Sequence, residues 1–109
     1  EIKNNVKDLI YQAGIVIGDK WQGNGHGHKI CKHMINVAWG KGFRKIWLTT
    51  YFDNKSAFQI YQKLGFVVEG IFINEEKLDG KYRHVISMGL FKNKKNIDKT
   101  RQKIINSIN

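Results

Sequence analysis

The hexapeptide Gln22-Gly23-Asn24-Gly25-His26-Gly27 separates an apolar run from a stretch with helical spacing, and the predicted fold is built around it. Its glycines carry no Cβ atom, so the backbone can turn sharply and bring successive N–H groups close to one anion. A helix that begins directly afterwards adds the positive end of its dipole and unpaired first-turn N–H groups. The pattern predicts a phosphate-binding loop that suits a pyrophosphate, with an unliganded tight turn as the alternative.

Two well-known phosphate loops do not fit this hexapeptide. A Walker loop needs Lys followed by Ser or Thr after its last glycine, whereas Gly27 is followed by His28-Lys29. A dinucleotide fingerprint needs its glycines at a different spacing and an acid near the end of the next strand. The loop therefore belongs to some other class.

The residues on either side of the hexapeptide predict a strand and a helix. Leu9 to Ile17 is rich in β-formers and is followed by Gly18-Asp19, while Gly14 inside it indicates a bulge or a close backbone approach. After the hexapeptide, apolar residues recur at helical spacing until Gly40-Lys41-Gly42, which is a helix-ending signal. These apolar positions are Ile30, Cys31, Met34, Ile35 and Ala38.

A second strand and a second helix follow. Phe43 to Phe52 predicts a buried strand, so the order strand, loop, helix, strand indicates a crossover unit with ligands at the strand ends. Asp53 or Asn54 is predicted to cap the next helix, which Gly65 ends. The apolar positions of this helix are Ala57, Ile60, Tyr61 and Leu64.

The last third of the chain predicts a β-hairpin and a basic tail. Phe66 to Ile73 and Tyr82 to Phe91 are predicted strands, and Asp79-Gly80 is a predicted hairpin turn. We assign residues 1–91 to one domain and residues 92–109 to a tail that is either disordered or a marginal surface helix.

Three motifs in this order resemble those of one family. Gln22, Gly25 and Gly27 fit Gln/Arg-x-x-Gly-x-Gly/Ala, which resembles the coenzyme A pyrophosphate loop of the GNAT acyltransferase superfamily. The run Asn54-x-x-Ala57-x-x-x-Tyr61-x-x-x-Gly65-Phe66-x-x-Glu69-Gly70 looks like the second signature of the GNAT N-acetyltransferases. Asp79-Gly80-Lys81-Tyr82 with the later Met88 resembles the hairpin of the ribosomal-protein and spermidine N-acetyltransferase branch.

The resemblance covers residues 9–91 and implies an α/β fold with a mixed sheet, the GNAT fold without its first strands and helices. The chain begins with Glu1 rather than Met, so we expect that it was trimmed or is the downstream part of a longer protein. Two residues depart from the family pattern. Asn24 stands where a basic residue is common, and His84 stands where the branch commonly has an acid.

The resemblance also implies a function, which is acetyl-CoA-dependent acetylation of a primary amine by direct attack in a ternary complex. Tyr61 is then the expected catalytic residue, as general acid to the leaving thiolate, with a core aromatic as the alternative. Asn54 lies near the cofactor arm in the family, although a helix cap explains it equally well. The expected acetyl-CoA-binding residues are Ile15, Val16, Ile17, Gln22, Gly23, Asn24, Gly25, His26, Gly27 and Asn54.

Several points stay open at this level. The acceptor is a polyamine, an amino sugar or a protein N-terminus, the general base is not identified, and a homo-oligomer is possible. Glu69, Glu75 and Glu76 either attract a cationic amine or only add solubility. His26, His28 and His33 lack the spacing of a metal site, so no metal is predicted. The alternative function is a non-catalytic acetyl-CoA-binding fragment or subunit.

Composition limits the class of protein. A chain of 109 residues with 41% hydrophobic residues is long enough for one modest domain. Its single cysteine, Cys31, excludes an internal disulfide and is predicted to be a small buried side chain. No apolar run approaches the ~20 residues that span a bilayer, and from the pattern of the sequence we expect no charged-then-apolar leader. We therefore expect a cytoplasmic protein that does not bind membranes.

The net charge of +10 raises the question of nucleic-acid binding. Residues 92–109 contribute +5, from six Lys/Arg and one acid, and the other +5 is spread thinly. Such a spread is typical of a solvated surface, so nucleic-acid binding is the least favoured function. A basic surface also attracts a ligand with several phosphates.

Overall fold

A computed structural model describes residues 10–12 and 26–108 of the chain. These residues form three helices and one four-stranded mixed sheet, which confirms the predicted mixed α/β class. The elements in chain order are β1 (Ile10–Gln12), α1 (His26–Gly40), β2 (Lys45–Tyr51), α2 (Lys55–Lys63), β3 (Val67–Leu78), β4 (Lys81–Phe91) and α3 (Ile97–Ile108).

The four strands form one sheet in the order β1-β2-β4-β3. β1 pairs with β2 in parallel, with Ile10 opposite Lys45 and Gln12 opposite Trp47. The other two pairings are antiparallel. The parallel pair confirms the predicted strand, helix, strand unit, because adjacent parallel strands need such a crossover connection. The rest of the predicted first strand, including Gly14, lies outside the described residues.

Helix α1 ends where its glycines predict. The backbone N–H of Gly42 donates to the Trp39 carbonyl at 3.0 Å, and Gly42 has a φ of 88°, which a glycine adopts without strain. Cys31, Ile35 and Ala38 form the buried face, as predicted. The prediction was wrong for Ile30, which is 47% exposed. Each residue of an α-helix is rotated by about 100° from the one before it, so Ile30 lies on the flank of the face that Cys31 defines.

Helix α2 has both of its predicted ends. Asn54 is its N-cap, and Gly65, with a φ of 102°, follows its C-cap Leu64. α1 and α2 bury their apolar faces in a single cluster together with residues that share one face of β2 and β4. The strand residues of this core are Ile46, Leu48, Ile86, Met88 and Leu90.

The predicted hairpin joins β3 to β4. Asp79 and Gly80 both have positive φ, of 52° and 78°, which is the backbone of a type I′ turn. The predicted end of the first hairpin strand at Ile73 was wrong, because β3 continues to Leu78. Pairing is interrupted between Phe72 and Glu76 and then resumes with Glu76 opposite Arg83. The apolar run in the sequence ends at this bulge, whereas the strand does not.

The basic tail contains helix α3, and none of its residues is buried. Three of its isoleucines are exposed, Ile104 at 56%, Ile105 at 39% and Ile108 at 76%, whereas Ile97 is half-buried. Within the described part of the chain, no helix has the length and hydropathy to cross a lipid bilayer.

Candidate functional site

The N-terminus of α1 is the described part of the predicted phosphate loop. His26 is the first residue of the helix and is exposed, whereas Gly27 is buried in the first turn. The first turn contains no acidic residue. Its N–H groups and helix dipole therefore meet no side-chain carboxylate from this turn, so it can receive an anion. The other predicted loop residues, Gln22 to Gly25, and the strand residues Ile15 to Ile17 lie outside the described residues.

The topology brings two helix N-termini to one edge of the sheet. β1 and β2 run parallel and lie side by side. α1 follows β1 and α2 follows β2 along the chain, so both helices begin beyond the carboxyl ends of neighbouring strands. This edge is the usual place for ligands in folds with parallel strands. His26 and Asn54, which are 28 positions apart in the sequence, are thus associated with the same edge.

Asn54 caps the second of these helices. Its Oδ1 accepts a hydrogen bond from the Ala57 backbone N–H at 3.3 Å, and its carbonyl accepts from the Phe58 N–H at 3.1 Å. The side chain therefore satisfies one of the unpaired N–H groups of the first turn. The predicted capping role is confirmed, while binding of a cofactor arm stays a prediction.

Tyr61 lies in the core. It is 2% exposed, and its ring packs against Phe66 with centroids 5.7 Å apart. Burial, with a smaller contribution from nearby Cys31, raises the pKa of the Tyr61 phenol to about 12. The ring thus supports the core, as the alternative interpretation predicted. Its phenol also stays neutral at physiological pH, so it keeps a hydrogen that it can donate.

Cys31 is the other ionisable group beside Tyr61. Its side chain is fully buried, which confirms the prediction of a small buried residue. Burial raises the pKa of its thiol to about 11, so the thiol is neutral at physiological pH. The buried Tyr61 and Cys31 side chains are therefore both uncharged at physiological pH.

Sequence reasoning missed a strand-end cluster, which consists of Tyr51, Asp53, Glu76 and Arg83. The Tyr51 hydroxyl donates to Glu76 Oε1 at 2.7 Å, across the intervening strand β4. The Arg83 guanidinium lies 5.4 Å from the centre of the Tyr51 ring and 3.8 Å from an Asp53 oxygen. Tyr51 and Glu76 are 25 residues apart, so only the register of the hairpin could have revealed their contact.

The three glutamates considered for amine binding do not form one cluster. Glu69 pairs with Lys45 at 2.9 Å, whereas Glu76 binds the Tyr51 hydroxyl. Glu69 and Glu76 are seven residues apart on β3, which corresponds to about 20 Å along an extended strand. A small amine therefore cannot contact both carboxylates.

His84 lies next to the strand-end cluster. Its Nδ1 accepts a hydrogen bond from the Asn74 backbone N–H at 3.0 Å, and its ring meets the edge of Phe52. The proton of a neutral imidazole with this bond is on Nε2, so His84 can donate but has no second free acceptor nitrogen. It is thus a poor general base in this geometry. Residues 10–12 and 26–108 contain no group of three side chains that could hold a metal ion.

Comparison with known proteins agrees with the motifs and the fold. The model of the acetyltransferase (GNAT) family matches residues 2–66, which is more than half of the chain. The chain belongs to the GNAT acetyltransferase family. The curated spermidine N(1)-acetyltransferase of Escherichia coli (strain K12) is 35% identical to it over 82 residues. That alignment covers 71% of this chain and 42% of the relative, so the GNAT chain spans less than half the length of this relative.

Solved structures show the same partial coverage. A GNAT-family acetyltransferase from Streptococcus pneumoniae is 34% identical, with a TM-score of 0.69, and the match covers 75% of this chain and 50% of that one. Spermidine N-acetyltransferase from Vibrio cholerae, solved in complex with CoA and spermine, is 25% identical with a TM-score of 0.68. Here the match covers 75% of this chain and 49% of the other. The similarity to the spermidine branch confirms the sequence-based assignment.

Proposed function

We propose that this chain carries the acetyl-CoA-binding part of an N-acetyltransferase that transfers an acetyl group to a primary amine. The main support is the association of two helix N-termini, at His26 and Asn54, with one edge of the parallel β1–β2 pair. Each terminus belongs to one of the first two of the three GNAT-like motifs. The spermidine N-acetyltransferase from Vibrio cholerae was solved with CoA, which supports the same donor here.

The donor binds through its diphosphate and its pantetheine arm. The loop Gln22–Gly27 and the first turn of α1 supply backbone N–H groups to the diphosphate, and no acid in that turn repels it. Backbone groups of Ile15 to Ile17 pair with the arm, and an N–H near Ile17 holds the oxyanion as it forms. Asn54 contacts the arm while it caps α2.

In the transfer step, the neutral amine nitrogen attacks the thioester carbonyl carbon and the carbon–sulfur bond breaks. The amine loses a proton to water or to another base, and the sulfur leaves as a thiolate. Tyr61 donates its phenolic hydrogen to this sulfur. A thiol has an ordinary pKa near ~8.5, well below that of the buried phenol, so hydrogen-bond donation contributes more than full proton transfer. We therefore assign Tyr61 a modest effect of about 10²-fold or less.

The acceptor is a primary amine, with a polyamine as the first candidate. This choice rests on relatives that are spermidine N-acetyltransferases, one of them solved with spermine. Amino sugars and protein N-termini are the other candidates. The net charge of +10 disfavours long-range attraction of a polycation, so recognition of a polyamine requires local carboxylates.

A second candidate is a donor-binding part without its own acceptor pocket. It is supported by the length of the match, since the chain aligns with only 42% of the curated spermidine N(1)-acetyltransferase. In this case the chain binds acetyl-CoA, and another part of the protein or another subunit supplies the acceptor site.

Thiol release from acetyl-CoA tests both candidates. The chain is incubated with acetyl-CoA and one amine at a time, which is spermidine, glucosamine or a peptide with a free N-terminus. Calorimetry measures acetyl-CoA binding in parallel. Amine-dependent thiol release supports the enzyme. Binding without release for any amine supports the donor-binding part, and the absence of both contradicts the proposed function.

A further inference from the structure

Helix α3 carries its apolar residues on one side. Successive residues of an α-helix are rotated by about 100°, which places the four isoleucines of α3 within an arc of about 100°. These isoleucines are Ile97, Ile104, Ile105 and Ile108. The opposite side is polar and includes Lys99 and Lys103. Three of the four isoleucines are exposed, so the apolar side is largely uncovered in the described part of the chain.

Helix α3 has little packing against the rest of the protein, since none of its residues is buried. The side-chain hydrogen bonds described for it stay within the helix. Gln102 donates to Asn106 at 2.9 Å. The Ser107 hydroxyl donates to the Ile104 carbonyl at 2.7 Å. Isolated helices of about 12 residues are marginal in water, so a surface that covers the apolar side would stabilise α3.

Among the described residues of α3, Arg101 is the one charged residue within the arc of isoleucines. It lies between Ile97 and Ile105 on the helix surface. Its side chain lines a cleft together with Phe58 and Gln62 of α2. A long arginine side chain can bury its methylene groups and keep its guanidinium among polar groups, so Arg101 is compatible with a contact between this side and an apolar surface.

The tail that contains α3 is strongly basic. Residues 92–109 have six Lys/Arg and one acid, Asp98, which gives a charge of +5. Three of the cations precede the helix, at Lys92, Lys94 and Lys95. The charge of +10 on the whole chain adds to the attraction of this tail for a negative surface. Charge and apolar side together favour a partner surface that is both negative and apolar.

From these observations we infer that α3 lies on the surface of an anionic lipid bilayer, with its isoleucines between headgroups and acyl chains and its lysines at the headgroups. Amphipathic helices with a basic polar side bind membranes in this way. Each Lys or Arg near an anionic surface strengthens binding by about fivefold. The expectation of no membrane binding rested on the lack of a spanning run, which a helix lying on the bilayer does not need. The inference is independent of the proposed acetyltransferase function.

The residue types of α3 favour a bilayer over the two macromolecules that a basic helix can also bind. A nucleic acid would pair with the lysines and leave the isoleucines uncovered. Protein grooves are bound mainly through aromatic or arginine anchors in fitted pockets, and α3 contains no aromatic residue. Isoleucines without an aromatic anchor suit a fluid apolar surface, which requires no matching shape.

Flotation of the full chain with lipid vesicles tests the inference. The vesicles contain phosphatidylcholine alone or with about 30% phosphatidylglycerol, which is anionic. We expect the anionic vesicles to bind the chain at least about tenfold more strongly than the neutral ones. High salt should weaken this binding, because it screens the charges of the tail.

A double substitution tests the apolar contact at unchanged charge. Ile104→Gln/Ile108→Gln removes two of the four isoleucines and keeps good helix formers at both positions. We expect binding to anionic vesicles to be at least about tenfold weaker, because less apolar surface enters the bilayer. The matched control is Ile71→Gln/Ile73→Gln, which changes two similarly exposed isoleucines on β3 and should bind like the wild type.

A second pair of variants tests the charge of α3. Lys99→Gln/Lys103→Gln should weaken binding to anionic vesicles by about tenfold or more, since each cation contributes about fivefold. Lys55→Gln/Lys63→Gln removes the same number of exposed lysines from α2. This control should weaken binding by less than about threefold, because α2 does not lie on the bilayer.

Four results would overturn the inference. The first is no binding to anionic vesicles at millimolar lipid. The second is wild-type binding by Ile104→Gln/Ile108→Gln, which would leave only electrostatic adsorption. The third is an equal loss in the β3 control, which would place the contact outside α3. The fourth is tighter binding to a DNA duplex than to anionic vesicles, which would make the tail a nucleic-acid surface.

Discussion

The ring of Tyr61 packs against that of Phe66, with centroids 5.7 Å apart and planes inclined at 59°. This contact connects the last turns of α2 with the start of β3 and holds the proposed hydrogen donor inside the core. A proposed catalytic group is thus also a structural one. Tests of Tyr61 must therefore separate turnover from stability.

Alkaline unfolding reports on the buried phenol. The pKa of Tyr61 is about 12 in the folded chain against an ordinary 10.0, so the folded state keeps a proton that the unfolded state loses. The associated stability is complete below pH 10 and is lost as the pH rises through 12. We expect the free energy of unfolding from urea titrations to fall over this range, and to fall less in Tyr61→Phe.

One control variant and one further ionisable group bear on this measurement. Tyr82→Phe changes an exposed tyrosine, so the free energy of unfolding should fall with rising pH as much as it does in the wild type. Cys31 contributes a loss of its own, because burial raises the pKa of its thiol from 9.0 to about 11. An identical pH dependence in wild type and Tyr61→Phe would show that the phenol ionises as freely in the folded state as in the unfolded one.

Turnover tests the second role of Tyr61. In whatever assembly shows amine-dependent thiol release, Tyr61→Phe is expected to lower kcat by about 10- to 100-fold, because a phenylalanine cannot donate to the leaving sulfur. The KM for acetyl-CoA should change little, since the ring and its packing are kept. If kcat is unchanged while the fold is intact, Tyr61 belongs to the core alone.

Two substitutions separate the roles of Asn54. Asn54→Ala removes the acceptor of the Ala57 N–H and is expected to cost about 1 kcal/mol of stability. Asn54→Asp keeps an N-cap acceptor, so its stability should stay close to that of the wild type. If the amide also binds the cofactor arm, calorimetry will show weaker acetyl-CoA binding in both variants. Unchanged affinity in Asn54→Asp would restrict the residue to capping.

An acid in the first turn of α1 should change stability and binding in opposite directions. His28→Glu adds a negative charge near the positive end of the helix dipole, which stabilises the helix by about 0.3–1 kcal/mol. The same charge repels a diphosphate, so acetyl-CoA should bind more weakly. His33→Glu is the matched control, since it makes the same change at an exposed position later in α1. A larger loss of affinity in the control would exclude this terminus as the phosphate site.

Local signals in the sequence predicted the elements well. Helix ends and the hairpin turn need residues with positive φ, and this requirement does not depend on distant residues. The residues that meet it are Gly42, Gly65, Asp79 and Gly80. Helical spacing identified the buried faces of α1 and α2, apart from Ile30 at the flank. Such features follow from a few neighbouring residues, so a single sequence is enough to predict them.

Long-range features were not predictable in the same way. β3 continues past its bulge, beyond the apolar run. The position of the bulge depends on the pairing of Glu76 on β3 with Arg83 on β4. The strand-end cluster has the same origin, since Tyr51 meets Glu76 only after β4 has paired with both strands. For Tyr61, the family motif indicated a catalytic role and the helical spacing indicated a buried side chain. The structure confirms that Tyr61 is buried, and its catalytic role stays a prediction.

The central claim is that the glycine loop and the first turn of α1 bind the diphosphate of acetyl-CoA. Calorimetric titration of the chain with acetyl-CoA and, separately, with S-acetylpantetheine, which lacks the diphosphate, tests it most directly. We predict binding of acetyl-CoA that is at least about tenfold tighter than that of S-acetylpantetheine, which corresponds to about 1.4 kcal/mol. Equal affinity for the two thioesters, or no binding of acetyl-CoA at millimolar concentration, would contradict the claim.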